Sequence, residues 1–80
     1  MNQMRAYDEM VDFIAGGSSP REVVEFRPSP ETRRRVAELI SREKGPGLTP
    51  DELSELNHYS ELEHLMRLSK VRARRLLRDE

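Results

Sequence analysis

Few residues in this chain have types and spacings that could do chemistry. Glu61-Leu62-Glu63-His64 contains a Glu-x-x-His spacing, and His58 lies close by. Such a spacing puts a carboxylate and an imidazole on one helical face, as di-iron bundles do when other helices add further carboxylates. No second motif of that kind is present, so the match reads as solvated polar residues, unless two copies of the chain doubled it. Gly16-Gly17-Ser18-Ser19 has the composition of a phosphate cradle but lacks the lysine and the preceding strand that such loops require. As a helix terminator followed by a new cap it is fully explained. The chain has no cysteine, and no nucleophile is joined by a recognisable signature to either histidine. Neither catalysis nor a bound metal or cofactor is expected.

Two basic runs are the other chemically distinctive feature. Arg33, Arg34 and Arg35 form one, and Lys70, Arg72, Arg74, Arg75 and Arg78 form the denser second. Basic clusters bind phosphates through counterion release. On a helix, however, consecutive residues point around the cylinder, so neither run makes a single stripe. No aromatic residues interleave to stack bases. Phosphate contact by these arginines is therefore the alternative function, with the helices merely positioning them.

The elements that would carry these residues are helical throughout. Tyr7, Met10, Val11 and Ile14 recur at three- and four-residue spacing, which predicts a first short helix over Arg5 to Ala15, ended by Gly16 and Gly17. Ser19-Pro20-Arg21-Glu22 is a capping box with proline at the first helical position, predicting one or two turns to Phe26 before Pro28. Ser29 and Pro30 open a third helix through Arg35, Val36, Leu39 and Ile40 to about Lys44. Gly45-Pro46-Gly47 breaks the chain. Thr49 and Pro50 then repeat the cap-and-proline opening, with Glu52 as the acid three residues on. The expectation is a single all-α domain over residues 1–80, with helices at about 5–15 and 20–26 and a helical hairpin formed by 30–44 and 50–78.

The last helix is the dominant element. At the standard rise it spans roughly 43 Å, more than a globule of this size can cover, so part of it must project or pair with another chain. Tyr59, Leu62, Met66, Ser69, Ala73 and Leu76 fall at alternating three- and four-residue steps, a stripe suited to packing on another helix. Leu53, Leu56, Leu65, Leu68 and Leu77 broaden it. Up to Met66 the stripe suits the domain's own core against Val36, Leu39 and Ile40. Beyond Met66, Ser69, Ala73, Leu76 and Leu77 suit an intermolecular contact, because the earlier helices have few apolar residues left to offer.

Charge is distributed in blocks although the net charge is only −1. Residues 46–64 carry five acids and no base, whereas 65–80 carry six bases against two acids. Antiparallel pairing of two copies would set the acids of 51–63 against the bases of 67–78, fixing orientation more than affinity. The macrodipole offers the simpler explanation, since it favours acids at a helix start and bases at its end.

With 35% apolar and 36% charged residues and no tryptophan, a chain of this length is marginally stable on its own. Oligomerisation or docking would add buried apolar surface. The absence of cysteine, of an apolar run of signal-peptide length and of any eighteen-residue apolar stretch makes a cytoplasmic, non-membrane protein the expectation.

From Arg35 onward the chain resembles a group of small bacterial proteins. The features that carry the likeness are Arg42-Glu43-Lys44, the glycine turn Gly45 to Gly47, Leu48-Thr49-Pro50-Asp51-Glu52 and the leucine-rich stretch from Leu62 to Leu77. They cover a little over half the chain. Members of the group look like antitoxin-type or accessory partners, sometimes associated with HNH-type or PIN-type nucleases. The resemblance implies a non-enzymatic role in binding a protein partner, a nuclease or toxin, and carries no catalytic residues. The N-terminal third has no DNA-binding ribbon or helix-turn-helix. Together these readings predict contact through Tyr59, Leu62, Met66, Ser69, Ala73, Leu76 and Leu77, either with a partner or with a second copy, and Arg72 and Arg75 as orienting charges.

Overall fold

The computed structural model describes residues 5–79, and among them the fold is all-α, with no strand. Four helices follow in order: α1 Asp8–Ala15, α2 Pro20–Glu25, α3 Pro30–Lys44 and α4 Pro50–Arg78. The last three open as their sequences predict. Ser19 and Thr49 each accept from the backbone N–H three residues on, while Glu22 and Glu52 accept from the cap residue's own N–H. These reciprocal bonds satisfy donors that a helix start leaves unpaired. Ser29 has Thr32 in place of an acid, with the two hydroxyls 3.2 Å apart. Its free N–H is taken instead by Glu9 of α1, at 2.8 Å. One carboxylate thus completes a cap and ties two helices together.

α1 begins three residues later than expected. Tyr7 occupies the cap position and makes no side-chain cap bond. The Asp8 carboxylate instead accepts from the Arg5 N–H at 2.8 Å, and the Asp8 N–H donates to the Arg5 carbonyl, closing a turn ahead of the helix. The apolar stripe of α1 is also rotated from the one its spacing suggested. Ala6 and Met10 are buried and Phe13 packs on the core, whereas Val11 is 42% and Ile14 48% exposed.

Contacts along α4 give the arrangement. Ala6 meets Glu55, Tyr7 stacks on His58 with ring centres 5.4 Å apart, and Phe13 touches Phe26, whose carbonyl accepts from Lys70. α1 therefore climbs α4 in the same direction. α3 descends it, with Arg35 at Glu55 and Arg42 at Glu52. α2 makes the more extensive helix contact with α4, and α3 a smaller one. The turn that reverses the chain between α3 and α4 is closed by the Gly47 N–H, which donates to the Arg42 carbonyl at 2.7 Å. Gly47 takes φ +102°, a backbone open to glycine and strained for other residues.

The core comprises Ala6, Met10, Leu39, Leu56, Tyr59 and Met66, with Leu39 fully buried. Complete burial of such a side chain contributes about 1.5–3 kcal/mol. The molecule is elongated, 50 × 28 × 19 Å, with a radius of gyration of 14.5 Å. A compact domain of this length would have about 11–12 Å. Among the described residues no helix is long and apolar enough to cross a membrane.

Candidate functional site

The stripe expected to meet a partner divides when folded. Tyr59, Met66 and Ala73 are buried within the chain, each 6% exposed or less. Leu62, Ser69 and Leu77 are half-buried at its edge, and only Leu76 of the seven expected contact residues is exposed. The expectation that the earlier helices had too few apolar residues to cover α4 beyond Met66 is thereby revised. The short helix α2 lies on that half of α4, with Val23 and Phe26 packed against the core. The proline-capped opening of α2 was legible, but its docking site is a long-range property that local spacing does not encode.

Beside the buried row runs a second one, exposed at Leu65, Arg72 and Leu76 and half-buried at Leu62 and Ser69. Leu62, Leu65, Ser69, Arg72 and Leu76 follow three- and four-residue steps and therefore share a side of the helix. Leu68 borders this row. Leu65 is 51%, Leu68 56% and Leu76 50% exposed. Val71 and Leu53, also exposed, lie around the helix from this row at an eighteen-residue spacing. On α1, Val11 and Ile14 share the face of Tyr7, whose ring rests on His58 one turn before Leu62. Val11 is 42% and Ile14 48% exposed.

The charged residues sort into tied and untied groups. Arg35 is tied: its Nε and Nη2 donate to the two oxygens of Glu55 at 3.0 and 2.9 Å. Glu55, 7% exposed, also accepts from the Ala6 N–H at 2.7 Å. The Arg35 hydrogen bonds hold the Glu55 carboxyl below its ordinary pKa against the opposing effect of burial. Arg35 is therefore a structural cation joining α3, α4 and the segment before α1, which corrects its expected role as a phosphate contact. Its neighbours Arg33 and Arg34 are exposed. Arg42 pairs with Glu52, and Arg67 with Glu63 at 2.9 Å.

No ion pair among the described residues involves Lys70, Arg72, Arg74, Arg75 or Arg78. Lys70 and Arg27 both donate to the carbonyl of Phe26, at the end of α2. Burial lowers the Lys70 pKa, and repulsion from Arg27 and Arg74 adds to the effect. Sequence reasoning passed over Arg27, which stands alone in the chain and joins the cluster only through folding.

His58 and His64 are exposed. The Nδ1 of His58 lies 2.7 Å from the Ser54 carbonyl, an oxygen that only accepts, so Nδ1 carries the proton. Among the described residues no group of three or more His, Asp or Glu side chains converges as metal ligands would. Comparison with family models, with curated proteins and with solved structures finds no match to this chain.

Proposed function

We propose that the chain is a non-enzymatic protein-interaction module whose contact surface is the row of exposed Leu65, Leu68 and Leu76 on α4, edged by half-buried Leu62 and Ser69. The observation that carries this reading is the half-exposed state of Leu65, Leu68 and Leu76 on a helix whose adjoining side already serves the core. Isolated exposed leucines are ordinary, but three on neighbouring turns of one helix make the kind of apolar patch that marks an interaction site. Met66, Ala73 and Tyr59 support the row from behind. The resemblance of residues 35–77 to antitoxin-like and nuclease-associated proteins points to a regulated nuclease or toxin as one class of partner, a second copy of the chain being the other that the row suits, at a cytoplasmic location.

The test compares wild type with the triple variant L65S/L68S/L76S, each isolated at low salt from the cells of origin. The wild type is expected to carry additional mass as a stoichiometric complex, and the variant to run alone with unchanged helicity. Equal masses would reject the row as an interface.

A second reading has its own observation: Arg27 and Lys70 share one carbonyl and, with Arg74, meet no carboxylate among the described residues. Such a cluster supports phosphate contact. Binding of a labelled duplex that falls steeply between about 50 and 200 mM salt, and is lost in K70Q/R74Q, is the expected result of that reading.

A further inference from the structure

We infer that the exposed row of α4 pairs with the same row of a second copy, the two helices running antiparallel about Leu68. This rests on the reading of that row as an interface and names its occupant. Charge order sets the direction. Glu61 borders the row at one end, and Arg72 and Arg75 lie on and beside it at the other. A two-fold interface requires that if one residue meets another, the reverse also holds. With Leu68 meeting Leu68 of the second copy, Glu61 falls opposite Arg75 of that copy, and the pair occurs twice. Parallel pairing would set Glu61 against Glu61 and Arg75 against Arg75, which is repulsive in both places.

The steric order agrees. In antiparallel pairing each residue of the row faces one from the opposite end of the other row. Leu65 then lies level with position 71 of the second copy, between Ser69 and Arg72 of its row, where the small serine leaves room for it. Leu62 comes beside Arg72, whose aliphatic stem covers the leucine while its guanidinium reaches outward to the acidic end. Leu76 of the second copy comes beside His58 and Leu62. Because α1 climbs α4 from Tyr7 at His58, its exposed Val11 lies level with that position and extends the apolar contact. The row is already anchored within the chain. Met66 and Ala73, only 6% and 4% exposed on its flank, hold α4 in place before the second copy arrives.

The experiment uses light scattering on the full chain at low salt, with charge-reversal variants. Wild type is expected to have twice the chain mass and L68D the mass of one chain at unchanged helicity. Glu61→Arg and Arg75→Glu, each measured alone, are expected to be monomeric, since each creates two like-charge contacts. Mixed in equal amounts they are expected to recover the doubled mass. In the mixed pair the arginine introduced at position 61 of one chain faces the glutamate introduced at position 75 of the other, while the native Arg75 and Glu61 still face each other. A monomeric wild type, a dimeric L68D, or a mixture that stays monomeric would each overturn the pairing. A monomeric wild type that still forms a serine-sensitive complex with a different chain would overturn self-pairing alone and leave the row as an interface.

Discussion

At the scale of single residues, Glu55 is the group on which the fold depends most. Its carboxylate is buried, bound twice by Arg35 and once by the Ala6 N–H, so three elements meet on it. Replacing Glu55 by alanine leaves an amide and a guanidinium without their acceptor. The expected loss is about 2–4 kcal/mol, read as a fall in urea midpoint. Such a loss consumes much of the stability of a domain this small. The pH dependence follows in sign. Glu55 titrates below its ordinary value of 4.5 in the folded chain, so its contribution is complete above that value and is lost as pH falls through the lower folded value. Urea titrations at neutral pH and in the acid range should show wild type losing stability on acidification and Glu55→Gln losing less. Equal slopes would contradict the assignment. Neither partner of this pair was legible as such: Arg35 stands in a run of three arginines and Glu55 in an acidic block, and only the antiparallel hairpin brings them together.

The helices themselves were legible because their starts are written locally. Serine or threonine followed by proline marks three of the four, and each mark falls at an observed cap. Thr49→Ala should cost about 1 kcal/mol by removing the side-chain acceptor of the Glu52 N–H, while Glu52 keeps its bond to Arg42. Gly47→Ala should cost a similar amount, about 1 kcal/mol, because of its positive φ and not because of crowding, as nothing lies within 4 Å of the added carbon. Thermal melts separate these effects, since Gly47→Asn, which tolerates positive φ, should recover part of the loss where Gly47→Val does not. The start of α1 was less legible. Its cap is a tyrosine without a cap bond, and its buried face includes Ala6, whose small side chain gives a weak periodic signal. The rotation of α1 follows from what α4 and Phe26 offer it, which no local pattern states.

For the whole molecule, the long dimension of 50 Å is set by α4, and the earlier helices cover one side of it. The apolar stripe expected from sequence was real but wide enough to be shared. Its buried half stabilises the monomer, and its exposed half is the surface proposed for contact. Acid at one end and base at the other make the proposed association sensitive to ionic strength, so raising salt from about 50 to about 500 mM should weaken it by shortening the Debye length from above about 10 Å to a few ångströms. Light scattering across that range reads the effect as a falling mean mass.

Whether the exposed row of α4 is an interface is best decided by site-specific photo-crosslinking in intact cells, with a photoreactive residue placed at Leu68 and, as a control, at Glu43 on exposed α3. A discrete adduct to a second polypeptide is expected from Leu68, of twice the chain mass where that polypeptide is another copy, and none from Glu43. Absence of any protein adduct at Leu68, or equal adducts at both positions, would contradict the role assigned to the row.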